Sequence, residues 1–150
     1  MKEFQIQQIS VYLANKPGRL AEVAKILKDN KINIRVLTIA EDNEKGILRM
    51  IVNKPDEALT ILKEKFMSEL DPMIAVPIDD HDGLLYEIVD LCDRNKLNIN
   101  YMYSFVDTRI NKAIMFMRFG DKEVDHSDEA VKMFTDARYK LLSFQEAYNI

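Results

Sequence analysis

One segment, Asn15-Lys16-Pro17-Gly18-Arg19-Leu20, separates a predicted strand from a predicted helix and sets the architecture of the chain. Before it, apolar residues alternate from Ile9 to Leu13, as in a half-buried β-strand. After it, apolar residues recur at helical spacing on one face, at Leu20, Val23, Ala24 and Leu27. Pro17 suits a first helical turn, and Gly18 leaves no side chain over the helical amides. We therefore expect a helix from Pro17 that ends at a left-handed Asn30 and whose N-terminal amides can face an anion.

The same segment occurs again 65 residues later, as Asp80-His81-Asp82-Gly83-Leu84-Leu85. Aligned without a gap, residues 15–34 and 80–99 are identical at seven of twenty positions. Each copy continues through a helical pattern to an Asn-Ile pair, at 33–34 and at 98–99. Because internal repeats of this length mark repeated structural units, we expect a first domain at residues 1–70 and a second at 71–150.

Each half has the predicted element order β-α-β-β-α-β. The first half gives strands at 4–14, 32–40, 47–52 and 67–70, with helices at 17–30 and from Pro55. A charged hairpin loop occupies 41–45, and Asp71-Pro72 marks the boundary. The second half gives strands at 73–78, 97–106, 113–119 and 139–143, with helices at 82–95 and after Ser127, a plausible N-cap. Residues 144–150 form either a short helix or a disordered tail. This order predicts an α+β fold of two ferredoxin-like repeats, each an antiparallel sheet with helices on one face.

Composition excludes several classes of protein. The net charge is −4 and the pI about 5.3, and the lysines and arginines are scattered, unlike those of a nucleic-acid-binding surface. No run of about 18 apolar residues is present, which argues against a transmembrane helix. The N-terminus shows no secretion signal, and one cysteine cannot form an internal disulfide. We therefore expect a cytoplasmic protein.

No motif predicts catalysis. Cys92 falls on the apolar stripe of the second repeat's first helix with Leu85, Ile88 and Val89, where a cysteine acts as a small hydrophobic residue. His126 has no nucleophile at a suggestive spacing, and no phosphate- or dinucleotide-binding glycine motif occurs. The cluster Asp79-Asp80-His81-Asp82 could bind a metal, but the same residues favour turns and helix starts, and no further ligand is indicated. We expect no enzyme activity, no cofactor and no metal.

Aromatic residues on the predicted sheet allow an RNA-binding interpretation, because RNA-recognition domains share this topology. Tyr101, Tyr103 and Phe105 alternate on one predicted strand. The acidic pI and the absence of aromatic residues from strands 32–40 and 47–52 argue against it. Apolar residues on both faces of this strand are better explained by a covered face at a domain or subunit interface.

Asn33 and Asn98 each interrupt an apolar pair at the start of the second predicted strand of a repeat. Either asparagine alone is equally well explained as a surface residue of an alternating strand. Their recurrence after an anion-binding turn favours a function, since an amide both donates and accepts hydrogen bonds.

The pattern Asn-x-Pro-Gly-x-Leu, then a helix and Asn-Ile, resembles the ACT domain, a regulatory module that binds amino acids. Both repeats together, including Asn98-Ile99-Asn100-Tyr101-Met102-Tyr103, resemble small stand-alone proteins made of two tandem ACT domains, over residues 4–142. The second repeat departs from the pattern, with Asp80 for the asparagine and Asp82 for the proline. That half therefore has either a different ligand or a degenerate site.

The resemblance implies that domains pair side by side through strand two and that ligands bind at the seam. One site would place Asn15, Gly18 and Leu20 opposite Asn98 and Tyr101, and the other Asp80, Gly83 and Leu85 opposite Asn33. The ligand-binding residues expected are Asn15, Lys16, Pro17, Gly18, Arg19, Leu20, Asn33, Ile34, Asp80, Gly83, Leu84, Leu85, Asn98, Ile99 and Tyr101. A homodimeric, amino-acid-binding regulatory protein is the first prediction. The alternative is a structural or interaction module with degenerate pockets that regulates a separately encoded enzyme.

Overall fold

The computed structural model describes residues 2–42 and 45–150. The chain divides into two compact units. The repeat-one unit comprises Gln7–Asp71. The repeat-two unit comprises Pro72–Ile150 together with the segment that precedes Gln7.

The repeat-one unit contains β1 (Ile6–Ala14), α1 (Arg19–Asp29), β2 (Ile34–Asp42), β3 (Lys45–Val52), α2 (Pro55–Leu62) and the first residues of β4 (Met67–Asp79). Its strands lie in the order β2-β3-β1-β4. β3 is antiparallel to both β1 and β2. Beside β4, the Tyr12 hydroxyl donates to Glu69 and the Ser10 hydroxyl donates to Asp71, both at 2.5 Å.

The repeat-two unit contains the rest of β4, then α3 (Leu84–Arg94), β5 (Ile99–Asp107), β6 (Lys112–Phe119), α4 (Ser127–Asp136) and α5 (Phe144–Tyr148). A short 3-10 helix, Lys2–Phe4, precedes β1. The strand order is β4-β6-β5, and both pairs are antiparallel. The predicted α+β class with βαββαβ-type repeats is confirmed, although the last strand of the second repeat is missing among the described residues. No helix among the described residues is both long and apolar enough to cross a membrane.

Each unit buries its own apolar core between helices and sheet. In the repeat-one unit, alternate residues of β1 and β3, such as Val11 and Met50, meet Val23 and Leu27 of α1. Leu20 and Ala24 of the predicted stripe are exposed instead. In α3 the buried residues are Leu84, Ile88 and Cys92, whereas Leu85 and Val89 are exposed. In these two helices the buried residues follow a narrow stripe with a spacing of four residues, so the wider predicted stripe is wrong in part.

Two helix-end predictions are wrong in detail. Asn30 has an ordinary φ of −98° and caps α1 through its side-chain amide, which donates to the Ile26 carbonyl at 2.8 Å. The left-handed residue is the next one, Lys31, with φ 56°. Ser127 is the first residue of α4, not its N-cap, because its backbone N–H and hydroxyl both donate to Asp125.

Two strand predictions also fail. Residues 67–79 form one continuous strand where two strands, 67–70 and 73–78, were predicted. The strand predicted at 139–143 is absent from the described structure, although the Leu142 N–H donates to the Ala75 carbonyl. Arg138 is left-handed and Ser143 already caps α5, so few residues remain for a strand ladder. The hairpin predicted at 41–45 is narrower, since β2 reaches Asp42 and β3 begins at Lys45, and residues 43–44 lie outside the described residues.

Candidate functional site

The turns before α1 and α3 are the same structure built twice. Gly18 and Gly83 are the N-cap residues, and each has a left-handed φ of 88° that L-residues rarely adopt. Neither cap position provides a side-chain hydrogen bond to its helix. A Cβ placed on either glycine would meet no atom within 4 Å. Each turn therefore leaves open space beside the glycine at the start of a helix, and a helix N-terminus favours an anionic group.

In the repeat-one unit this turn borders a cavity of about 660 Å³, which we name the repeat-one groove. Its lining residues are Tyr12, Leu13, Ala14, Asn15, Lys16, Lys45 and Met67. Of the predicted site residues, it contains only Asn15 and Lys16, and both are exposed. Burial and the Glu69 hydrogen bond raise the pKa of Tyr12, so its hydroxyl stays protonated. The groove presents an amide, two cations and an apolar floor.

In the repeat-two unit the equivalent turn borders a cavity of about 490 Å³, the repeat-two groove. It contains Asp80, Gly83, Leu84 and Leu85 from the predicted site. The remaining lining residues are His81, Met102, Tyr103, Ser104, Val106, Ala113 and Met115, from the turn, β5 and β6. Sequence reasoning did not assign these to a site. Alternation along β5, which puts Met102, Ser104 and Val106 on one side, was the available signal.

The predicted asparagines lie at the other end of each sheet. Ala14 and Asp42 both pair with Lys45 of β3, so β1 and β2 end at the same end of the sheet, whereas Ile34 pairs with Val52 at the opposite end. Eight residues of strand at about 3.3 Å each separate Asn33 from the turn end by roughly 26 Å. The Asn33 N–H donates to the Asn53 side chain at 3.0 Å. One ligand therefore cannot contact Asn15 and Asn33 of the same unit.

The repeat-two unit has the same arrangement. Asp79 and Asp107 both pair with Lys112, whereas Ile99 pairs with Phe119. The Asn98 carbonyl accepts the Gly120 N–H at the far end of the sheet. Ile99 packs against the core, as does its counterpart Ile34. Tyr101 is half-buried on β5, opposite Arg118.

Charges differ between the two turns. In repeat one, Arg19 lies 3.0 Å from Glu22 and Lys65 lies 3.9 Å from it. Pro17 has no acidic neighbour within its turn, whereas repeat two carries Asp80 and Asp82 on either side of His81. The repeat-one turn is therefore the more favourable for a carboxylate ligand.

His81 links the repeat-two turn to α3. One ring nitrogen, Nδ1, lies 2.7 Å from the Asp79 carbonyl oxygen, and Nε2 lies 3.1 Å from Glu87 Oε1. The Glu87 hydrogen bond, followed by the Asp79 carbonyl, raises the pKa of His81 above its ordinary value of 6.5. Asp79 itself binds Lys112 of β6, which lowers the pKa of that carboxyl group.

The cysteine, the possible metal ligands and the aromatic residues weighed in the sequence do not form further sites among the described residues. Cys92 is 2% exposed, and burial raises the pKa of its thiol to about 11, so it remains a protonated core residue. Among the residues described, no three His, Cys, Asp or Glu side chains are placed to hold a metal ion. The aromatic residues of β5 do not form an open platform, because Tyr103 and Phe105 stack on Phe116, which is fully buried.

Comparison with known proteins agrees with this repeated architecture. A protein of Bacteroides thetaiotaomicron of known structure is 30% identical over 98% of both chains, with a TM-score of 0.86. The ligand-free regulatory subunit of aspartate kinase from Thermus thermophilus is 15% identical over 87% of this chain and 91% of that chain, with a TM-score of 0.62. Its counterpart from Thermus flavus is 16% identical over 89% and 94%, with a TM-score of 0.60.

At 15–16% identity, the likeness to these two subunits concerns the fold alone. No curated protein sequence matches the chain significantly. The profile of the family described as an ACT domain pair matches residues 4–140, which is nearly the whole chain. The predicted resemblance is thus confirmed, and the chain belongs to the family of ACT domain pairs.

Proposed function

We propose that this protein binds free amino acids and regulates an enzyme encoded separately, without catalysing a reaction itself. The observation that carries the proposal is the pair of equivalent turns, each with a left-handed glycine as an N-cap that has no side-chain hydrogen bond. Gly83 and the start of α3 line the repeat-two groove, whereas Asn15 and Lys16 of the other turn line the repeat-one groove. The amides of a helix N-terminus bind a carboxylate, and both cavities lie in the size range of small-molecule sites. Two solved relatives of the same fold are regulatory subunits of aspartate kinase, which is consistent with this role.

A ligand at either turn needs partners for its ammonium group and its side chain. In the repeat-one groove Asn15 can accept from the ammonium, and Leu13 and Met67 provide apolar contacts. In the repeat-two groove Asp80 takes the position of Asn15, and Met102 and Met115 provide the apolar surface. The substitution of a carboxylate for an amide makes the two grooves chemically different, so we propose that they differ in ligand preference.

We further propose that each site is completed by strand two of a second domain, as the family resemblance implies. Asn33 and Asn98 lie too far from the turns of their own units to reach a ligand there. Among the described residues, β2 pairs with β3 alone and β5 with β6 alone, so each has an edge available for pairing. We propose that the protein forms a homodimer and that it acts in the cytoplasm.

A thermal-shift screen of the twenty standard amino acids tests the proposal. A ligand at 100 times its Kd stabilises the folded state by about 2.7 kcal/mol, which is readily detected. Asn15→Ala or Asp80→Ala should reduce the affinity for the selected amino acid by about 1–3 kcal/mol through an unpaired polar group. Lys28→Ala, an exposed change near the far end of α1, is the control and should not alter affinity. Stabilisation that survives both site substitutions would disprove the assigned site.

The alternative function, an interaction module with degenerate pockets, is favoured by one surface. Leu85, Tyr86 and Val89 on α3 are 56%, 73% and 42% exposed, an unusual concentration of exposed apolar side chains. The same screen separates the two functions, because a module with degenerate pockets shows no stabilisation by any amino acid.

A further inference from the structure

The two turns differ at one position that can change its charge near neutral pH. His81 occupies the place of Lys16 in the repeat alignment. It lines the repeat-two groove. Its ring contacts both the Asp79 carbonyl at the end of β4 and the Glu87 carboxylate in the first turn of α3.

Both groups that His81 contacts are hydrogen-bond acceptors. A neutral imidazole has one N–H donor, whereas an imidazolium has two. Only the charged ring can therefore donate to the Asp79 carbonyl and the Glu87 carboxylate at the same time. In repeat one the equivalent carboxylate, Glu22, is instead held by a guanidinium and an ammonium group, those of Arg19 and Lys65.

The charged groups around His81 come from three elements. Asp79 at the end of β4 is bound by Lys112 of β6. Asp80 and Asp82 flank the histidine in the turn, and Glu87 faces it from α3. Loss of the imidazolium charge leaves these carboxylates beside the groove without the cation that contacts Glu87. A ligand that carries a carboxylate is then repelled.

We propose that His81 makes the repeat-two groove pH-sensitive, because its charged ring ties the turn to α3 and offsets the Glu87 carboxylate, and its neutral ring does neither. The folded protein holds the proton more tightly than the unfolded chain does. The link is therefore complete below pH 6.5 and is lost as the pH rises through the higher folded-state pKa. The consequence for an amino-acid ligand rests on the proposed function, whereas the link itself does not.

NMR titration of the untagged protein tests the link without a ligand. The chain has two histidines, so His81→Gln assigns the His81 signal. We expect the pKa of His81 to exceed 6.5 and to fall in Glu87→Gln. The amide signals of residues 80–83 should titrate with the same midpoint and lose this transition in His81→Lys, whereas those of Asn15, Lys16 and Gly18 should show no such transition. A His81 pKa of about 6.5, or turn amide signals that do not titrate together with His81, would overturn the proposal.

Calorimetry with the amino acid selected in the screen tests the consequence. Affinity at the repeat-two groove should fall between about pH 6 and about pH 8.5 in the wild type and stay constant in His81→Lys. Equal affinity at both pH values in the wild type overturns the regulatory inference but leaves amino-acid binding intact. Failure of every amino acid to bind disproves the proposed function, and the NMR titration still decides whether His81 forms the link.

Discussion

Three left-handed glycines allow the geometry of the turns to be tested quantitatively. Gly18 and Gly83 have φ 88° and open space where a Cβ would lie. Gly120 has φ 97°, but its Cβ would lie 2.0 Å from the Val124 carbonyl oxygen. Alanine at the first two positions meets only backbone strain, whereas at the third it also meets a collision. The three substitutions should therefore differ in size in a fixed order.

The left-handed conformation costs an L-residue roughly 1–2 kcal/mol, and the reduced freedom of the unfolded chain recovers only part of this. Gly18→Ala and Gly83→Ala should each destabilise the protein by about 1 kcal/mol, and by similar amounts because their surroundings match. Gly120→Ala should cost about 3 kcal/mol or more, because β6 or the following loop must move. Urea denaturation followed by circular dichroism measures all three values.

The assigned site adds a second readout. A methyl group on Gly18 occupies the open space where we place the ligand carboxylate, so Gly18→Ala should weaken amino-acid binding more than a 1 kcal/mol loss of stability explains. Lys28→Ala, which is exposed near the far end of α1, is the control for binding, and Gly120→Ala serves the stability comparison alone. Equal destabilisation by all three glycine substitutions would refute the local geometry. Full ligand affinity in Gly18→Ala would refute the position of the carboxylate.

Three further outcomes are expected. Cys92→Ala should cost roughly 1–2 kcal/mol of stability without affecting ligand binding. The native thiol should resist an aromatic disulfide reagent at pH 8, because burial raises its pKa to about 11. Rapid labelling of the thiol in the folded protein would contradict this. Asn15→Ala and Asn33→Ala should change ligand affinity additively within about 0.5 kcal/mol by calorimetry, and stronger coupling would mean that they share a pocket within one unit. Sedimentation should detect a dimer that a Leu37→Lys, Ile39→Lys double variant weakens, since both side chains are exposed on the β2 edge; a monomeric wild type at high concentration would exclude it.

The repeat explains why the fold could be predicted so fully from sequence. The helices α1 and α3, and the strands β2 and β5, begin and end at positions related by the same 65-residue offset as the aligned sequences. Each feature that fixes a turn, such as the glycine before the helix, was therefore seen twice. Two of the errors occur where the repeats diverge or where a local interaction intervenes. At Ser127 the neighbouring Asp125 takes the capping role, and after Arg138 the start of α5 leaves no room for a strand.

The prediction of which apolar residues of α1 and α3 are buried was wrong in part, for a reason that bears on the site. Leu20 and Leu85 are identical in the aligned repeats and fall on the predicted apolar faces, yet they are 42% and 56% exposed. A spacing rule cannot separate a leucine that contacts the sheet from one that lies a quarter-turn away, because both fit the helical period. Leu85 lines the repeat-two groove and is not part of the buried core.

The placement of the asparagines could have been derived from the sequence. The two strands on either side of the first helix, β1 and β2, both pair with β3 in an antiparallel way, so they run parallel to each other. The end of β1 and the start of β2 therefore lie at opposite ends of the sheet. Asn15 and Asn33 could never have formed one pocket within a repeat. The groove residues on β5 were harder to predict, because they depend on where α3 leaves the sheet uncovered. That position is set by which helix residues pack against the core, and this packing was predicted only in part.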